Sequence, residues 1–436
     1  MSTLKAVRGT RDLLPPETEL WNRIEATARS VFARYHFGEI RTPLFEDTSL
    51  FARGVGEETD IVSKEMYTWE DRARAQSEKS QSLTLRPENT AGVVRAYIEH
   101  KLGETGQLQK LYYIGPQFRR ERPQRGRYRQ FFQVGAEVIG PQSAGSESPL
   151  RDAEVLEMLS TLLDELGIVG WTLNINSVGS SADRERYNAA LREALQPVKD
   201  KMCPDCQRRA ELNPLRVLDC KVPEDQPIIE TLPKIADSLD EESKAHFAAV
   251  IAALDAAGVP YTRNHRLVRG LDYYTRTTFE FTHGGLGAQN ALLGGGRYDG
   301  LSENIGGPKA PGIGFAIGLD RLVLTLQAQE AEAAAVEKIS AFIAPMADAK
   351  NAEQLKAMNA AGLALARELR RAGLKVELGD GSFRLKKSFE AADKCAKRIV
   401  ILGEDELASG MLTVKDFSSG TQTKVPRAEL AEFLAR

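Results

Sequence analysis

No apolar run in this chain approaches the roughly 18–20 residues a membrane-crossing helix needs. The N-terminus, MSTLKAVRGTRDLLPPE, also lacks the apolar core of a secretion signal. A cytoplasmic protein with no membrane partner is expected. Charge of one sign is not in excess either, since 58 Lys and Arg stand against 61 Asp and Glu, a formal net charge of −3. Any anionic ligand must therefore meet local basic patches rather than a global field. Cysteine is scarce, with 4 in 436 residues, too few for a disulfide framework. Three lie close together, as CPDC at Cys203–Cys206 and LDC at Cys220. No fourth Cys or His sits at matching spacing, and structural zinc is almost always four-coordinate, so no metal site is assigned.

The usual nucleotide and hydrolase loops are missing as well. There is no G-x-x-x-x-G-K-[ST], no H-E-x-x-H and no G-x-S-x-G, and PGIGFAIG spaces its glycines wrongly for a dinucleotide fold. What remains, 42% hydrophobic and 27% charged, is an ordinary globular composition with length for two or three domains.

Periodicity predicts an amphipathic helix over Glu17–Tyr35, then an extended GEIRTPLFED segment that Pro43 marks as an edge or interface. LTLRPENTAGVVRAYIEH reads as a strand turning into a helix, and Lys110–Gly140 as a hairpin with a long turn at PQRGR. A helix is expected over Pro149–Leu166, and a charge-rich helical insertion over about 171–264. Strand signals return in LVRGLDYYTRTTFEFTH and PGIGFAIGLDRLVLTL. QAQEAEAAAVEK, 327–338, has no apolar stripe and reads as a linker. Beyond it, strands and helices alternate, as in a small α/β domain.

The strongest chemical signal is QFRRERPQRGRYRQFFQVGAEV. Six arginines fall between Arg119 and Arg129 with one acid, Glu121, among them. On strands, alternate side chains share a face. Arg127, Arg129, Phe131, Gln133, Gly135 and Glu137 then point one way, and Gln117, Arg119 and Glu121 form a matching set. Guanidinium groups bind phosphate oxygens in pairs and aromatic planes stack on bases, which suits a nucleotide lying over the hairpin. A solvated arginine-rich turn would leave the same local pattern.

This hairpin resembles motif 2 of class II aminoacyl-tRNA synthetases. GIGFAIGLDRLVL, 312–324, resembles their motif 3, and the first helix with EIRTPLFED, about 20–47, resembles motif 1, a dimer-interface element. RGLDYYTRTTFEF, GGGRYDG, RGTRDLLPPE and LTLRPENT are similar to signatures of the histidyl-tRNA synthetase family. The resemblance spans nearly the whole chain. It implies an α+β architecture: an antiparallel-sheet catalytic domain over 1–326 flanked by helices and carrying the helical insertion, and an α/β anticodon-binding domain over 339–436.

The resemblance also implies roles. Arg119 and Arg269 would be the catalytic cations, with Arg119 reaching the α-phosphate and the substrate carboxylate. Glu121 and Phe131 would receive adenine, while Arg127 and Arg321 hold the γ-phosphate end of ATP. Glu88, Thr90 and Gln133 would take the histidine ammonium group. Glu137, Tyr274 and Tyr298 would bind the imidazole, with Tyr273 as a wall. Gln124 and Arg129 are weaker candidates for the tRNA acceptor end, and Lys386, Lys387, Lys394, Lys397 and Arg398 for local tRNA contacts. Asn89 departs from the glycine usual between Glu88 and Thr90.

Each position also admits a plainer role. Glu88 could serve a helix N-terminus, the tyrosines could be core, Glu137 could end a salt bridge, and Arg269 and Arg321 could pair with Asp272 and Asp320. The implied activity is histidine–tRNA ligation by a homodimer, with ATP and Mg²⁺, L-histidine and its tRNA. The rival is a non-catalytic, histidine-sensing regulatory subunit of ATP phosphoribosyltransferase, expected to lack the C-terminal domain and an intact RGLDYY segment.

Overall fold

The computed structural model describes residues 3–56, 59–71, 80–286, 290–330 and 338–435. The chain divides into two compact units, Met1–Glu332 and Ala333–Arg436.

The first unit is built on an eight-stranded sheet. In chain order its strands are β1 (Gly38–Glu39), β2 (Gln109–Phe118), β3 (Gln130–Ile139), β4 (Trp171–Ser177), β5 (Thr262–Arg263), β6 (Thr275–His283), β7 (Ala291–Arg297) and β8 (Gly312–Gly318). Across the sheet the order is β1-β2-β3-β8-β7-β6-β4-β5. The six strands from β2 to β4 are antiparallel neighbours, and the two-residue strands β1 and β5 add parallel edges.

Strand periodicity separates the two faces. Val134, Ala136 and Val138 of β3, Phe279 and Phe281 of β6, and Ile313, Phe315 and Ile317 of β8 point into one apolar core. Helices Glu17–Arg34, Pro149–Glu165, Glu241–Ala257 and Leu319–Glu330 contribute to the same core or bound it, with Trp21, Ile24, Val31 and Phe32 supplied by the first. Phe279 and Phe281 are fully buried, each contributing about 1.5–3 kcal/mol of apolar burial. The residues between, Gln133, Gly135 and Glu137 on β3 and Gly314, Ala316 and Gly318 on β8, pave the opposite face.

Two expectations need correction. The stretch 171–264 is not helical throughout. Trp171–Ser177 is a strand of the main sheet because Leu173 and Ile175 alternate into the core, and helix Glu241–Ala257 packs Val250, Ile251 and Leu254 there too. The part with its own apolar cluster runs from Tyr187 to Leu239, joined by Val178 and Val268. The strand signal in PGIGFAIGLDRLVLTL also ends early, since helix Leu319–Glu330 begins directly after Gly318. Of the expected linker, 327–330 completes this helix and 331–337 lies outside the described residues.

The second unit has a five-stranded sheet in the order Val376–Leu378, Ile339–Pro345, Ala396–Leu402, Met411–Asp416, Gln422–Pro426. The first three strands are parallel and the last two antiparallel. Ala341 and Ile343 share a core with helix Ala352–Arg371, whereas Phe342 and Ala344 meet helix Leu385–Cys395 on the other face.

Candidate active site

The hairpin of β2 and β3 pairs Gln117 with Phe131, Gly115 with Gln133 and Leu111 with Glu137. This register brings Arg119, Glu121, Arg127, Phe131 and Gln133 to the wall of one cavity of about 470 Å³, where Arg269 and Arg321 join them from other segments. The structure therefore brings together seven residues that the sequence places on three separate motifs.

Each cation has a defined seat. Arg119 donates from Nε to the Pro87 carbonyl at 2.8 Å, and its guanidinium lies 5.2 Å from the Phe131 ring centroid. Arg127 meets Glu121 at 3.2 Å, Arg269 meets Glu280 at 2.7 Å, and Arg321 donates to the Ala291 carbonyl at 2.6 Å. Burial and the neighbouring Arg127 both lower the Arg321 pKa, as expected where cations converge without enough anion between them. Burial opposes charge on Arg269, but Tyr274 and Glu280 outweigh it and keep this guanidinium firmly protonated. Across the cavity the Glu65 carboxyl is raised by burial and by Glu121. Among the described residues, two buried polar atoms on this wall have no hydrogen-bond partner, Arg269 Nε and Gln133 Oε1. Buried polar groups are nearly always hydrogen-bonded, so such orphans cluster where a polar ligand completes the site.

Of the imidazole and ammonium candidates, only Gln133 lines this cavity. Glu88, Thr90, Glu137, Tyr273, Tyr274 and Tyr298 form a buried cluster with Tyr113. Glu137 accepts from Thr90 Oγ1 and from Tyr298 OH, both at 2.7 Å. Burial is the chief reason its pKa is raised to about 8, well above the usual carboxylate range. Glu88 caps the helix Thr90–Glu99, accepting the backbone N–H groups of Thr90 and Ala91 at 2.8 and 3.0 Å. Each of its oxygens keeps a second lone pair for another donor.

Glycines make room for this cluster. A Cβ on Gly314, paired with Glu137, would lie 1.6 Å from Glu137 Oε2, and one on Gly294 would lie 2.5 Å from an Arg269 nitrogen. Gly314→Ala should therefore displace the carboxylate and destabilise the fold by about 1–3 kcal/mol. Gly318→Ala, whose Cβ meets nothing within 4 Å, should leave stability unchanged, as urea denaturation of the pair would reveal.

Other candidates fall elsewhere. Arg129 ties the hairpin to the N-terminal segment. Its backbone N–H bonds the Gly9 carbonyl at 2.7 Å and its side chain reaches the Arg8 carbonyl at 3.2 Å. Gln124 stands exposed at the hairpin tip, bridged to Arg127. Asn89 turns its carbonyl to Thr42 and Arg86, so the departure from glycine braces the motif 1 segment. The plainer pairings expected for the arginines are redrawn, because Asp320 binds Arg11 and Arg269 binds Glu280. Arg398 is held by Asp416 at 2.9 Å and by the Phe433 and Leu434 carbonyls, which leaves the four lysines exposed.

Sequence reasoning passed over Glu280, Arg216 and Asp219, all on the cavity wall, and buried Arg86, which ties Thr42 to Pro116. Alternation in TFEF, with Phe279 and Phe281 inward, was a usable signal for Glu280.

Arginines on an antiparallel sheet, in place of a glycine-rich phosphate loop, define a class II aminoacyl-tRNA synthetase catalytic domain. A family model of histidyl-tRNA synthetase matches residues 9–322, and one of an anticodon binding domain matches 340–436. The chain belongs to the histidyl-tRNA synthetase family. A histidine–tRNA ligase of Koribacter versatilis is 72% identical over 99% of this chain and 96% of that protein. The structure of apo Staphylococcus aureus histidyl-tRNA synthetase superposes with a TM-score of 0.77 at 38% identity, covering 100% of both chains. An ATP phosphoribosyltransferase regulatory subunit/histidyl-tRNA synthetase from Bacillus halodurans shares the fold, with a TM-score of 0.65 at 19% identity over 92% of this chain and 99% of that one.

Proposed function

We infer that this chain is a histidine–tRNA ligase, which condenses L-histidine with ATP to histidyl-adenylate and pyrophosphate and then moves the histidyl group to the 3′ end of its tRNA. The observation that carries the reading is the convergence of Arg119, Arg127, Arg269 and Arg321 on one cavity. The regulatory-subunit alternative is not favoured, since the anticodon-binding domain and RGLDYY are both present.

In the first step the histidine carboxylate attacks the α-phosphorus. It is already ionised at neutral pH, so no general base is needed. Catalysis reduces to alignment and to neutralising charge that grows at phosphorus. Arg119, fixed by the Pro87 carbonyl and the Phe131 ring, and Arg269, fixed by Glu280, are pre-oriented for that task. Entering phosphate oxygens take over the donors that Glu121 and Glu280 now occupy. Adenine stacks on Phe131, with Glu121 facing its amine. Arg127 and Arg321, which repel each other, gain a shared anion in the γ-phosphate. Glu88, Thr90 and Gln133 take the ammonium group. Glu137 and Tyr298 take the imidazole, with Tyr274, while Tyr273 walls the pocket.

Mg²⁺ fits this donor set, because Mg²⁺ binds through one or two carboxylates plus phosphate oxygens, and Glu121 and Glu280 both face the cavity. When bound it neutralises triphosphate charge. ATP–pyrophosphate exchange with each of the twenty amino acids tests the whole assignment. Histidine alone should support exchange, and exchange with another amino acid in its place would overturn it.

A homodimer and a cytoplasmic location belong to the same proposal. Leu44, Phe45 and Trp69 expose apolar surface on and beside a small three-stranded sheet, Phe45–Asp47, Gln81–Leu85 and Tyr67–Asp71, which suits burial against a second copy. No helix among the described residues is long and apolar enough to cross a membrane.

The C-terminal unit contributes phosphate contacts through Lys386, Lys387, Lys394 and Lys397. With about four such contacts, tRNA affinity should fall about 10²-fold between 50 and 200 mM salt. A filter-binding series over that range checks this, and the lysine-to-alanine variants should flatten it.

A further inference from the structure

We propose that Cys203, Cys206, Cys220 and Asp225 form a structural site for one zinc-type divalent cation within the helical insertion. Spacing of Cys and His alone offered only three ligands. The fold supplies the fourth as a carboxylate, and the ligand atoms of all four residues lie within 4.8 Å of one another.

The geometry suits a tetrahedral centre. Cys203 Sγ and Cys220 Sγ are 3.9 Å apart, and Cys220 Sγ is 3.2 Å from Asp225 Oδ2. With Zn–S near 2.3 Å and Zn–O near 2.0 Å, tetrahedron edges come to about 3.8 Å for S–S and about 3.5 Å for S–O. A disulfide would need about 2.05 Å.

Hydrogen bonds from surrounding groups orient the ligand atoms. The Cys203 N–H donates to Asp225 Oδ1 at 3.0 Å, which turns Oδ2 towards the sulfurs, and the Val222 N–H donates to Cys220 Sγ at 3.4 Å. Cys203 caps the nine-residue helix Pro204–Leu212 and Cys206 stands in its first turn, where the helix dipole favours thiolates.

A second observation points to a cation independently of the sulfur geometry. Asp225 is 1% exposed, and among the described residues its donors are the Cys203 N–H and the Cys220 thiol, with no Lys, Arg or His paired to it. Buried carboxylates are normally paired or bound to metal. Here the facing groups are three thiols, two of them buried, with Cys206 fully so. Binding balances as one Zn²⁺ in and three thiol protons out, leaving three thiolates and one carboxylate on the metal.

The site is placed to matter. The turn Pro214–Asp219 runs straight into Cys220, and it carries Arg216 and Asp219 to the wall of the large cavity. Arg216 meets Asp60 at 3.4 Å and the Gly270 carbonyl at 3.4 Å, beside Arg269. A metal at Cys220 would anchor that wall.

The test uses the full chain, purified under reducing conditions with added Zn²⁺ and then desalted. About one zinc per chain is expected by elemental analysis. Co²⁺ substitution should give tetrahedral ligand-field bands and a sulfur-to-metal charge-transfer band. Zinc should shield Cys203, Cys206 and Cys220 from alkylation while Cys395 still reacts, a readout on the unaltered protein. Cys206→Ser and Asp225→Asn should lose the metal, whereas Cys395→Ser keeps it. Substoichiometric zinc, equal alkylation with and without it, or a Cys203–Cys220 disulfide found by mass spectrometry would overturn the proposal. None of these readouts depends on ligase activity.

Discussion

Arg269→Ala should lower the kcat of histidine-dependent pyrophosphate exchange by about 10²–10³, while histidine binding changes only a few-fold. Removing one preorganised donor from a developing anion costs on that scale, about 2.7–4 kcal/mol of barrier. Arg269 is well placed for such a role. Its Nη1 is fixed by Glu280 at 2.7 Å, the missing Cβ of Gly294 lets the guanidinium lie against the strand, and Nε has no partner among the described residues. The variant also unmasks Glu280, whose carboxylate would then face the triphosphate and raise the KM for ATP. The two effects separate in the double variant Arg269→Ala/Glu280→Gln, which should recover the KM for ATP but not kcat. A single variant with near-normal kcat would remove Arg269 from the chemistry. Arg269→Lys keeps charge without the planar fork and should recover only part of the rate.

Much of this site was legible because strand alternation is a strict code. Once β2 and β3 are read as a hairpin, Arg119, Phe131 and Gln133 must share a face, and burial on the other face by Val134, Ala136 and Val138 fixes the register. The second unit was readable for the same reason, since alternating apolar strands and one long amphipathic helix leave few arrangements. Other features are properties of the folded state. Trp171–Ser177 sends Leu173 and Ile175 into the main core with Trp171 at its edge, and charged helices follow it, so its strand character is weak locally and imposed by pairing with β6. Asp225 is neither thiol nor imidazole and becomes a neighbour of Cys203 only through a 22-residue loop closure. The separation of the Glu137 cluster from the cavity wall depends on how deeply the tyrosines pack, which no spacing encodes. Arg129 shows the converse: it precedes the strand, and its partner there, the Gly9 segment, lies 120 residues away.

Glu137→Ala should abolish histidine-dependent exchange, a loss of 10³-fold or more on the scale by which sites built to hydrogen-bond a substrate reject one lacking the partner (about 10⁴). The variant tests more than contact. With its pKa raised to about 8, the Glu137 carboxyl is mostly protonated near neutrality before histidine enters. Free imidazole titrates near 6.5, so at pH 7.5 the ring arrives mostly neutral. The carboxyl can then pass its proton to the ring, forming an imidazolium–carboxylate pair without burying net charge, which is far cheaper than burying one ion. Calorimetry at pH 7.5 in buffers of different ionisation enthalpy should therefore find almost no net proton uptake on histidine binding. Uptake near one proton per site would mean an ionised Glu137 and would sink this account. The same shift makes a stability claim whose sign is fixed. The folded pKa of about 8 exceeds the ordinary 4.5, so the folded chain holds the proton more tightly. That contribution is complete below about pH 4.5 and is lost as pH rises through 8, with a slope of up to about 1.4 kcal/mol per pH unit between them. Glu137→Gln, neutral at every pH, with one oxygen left to accept from Thr90 or Tyr298 and an NH2 that donates in place of the other, should flatten stability over this window. It should still lose histidine activation by about 10²-fold or more, because an amide has no proton to give.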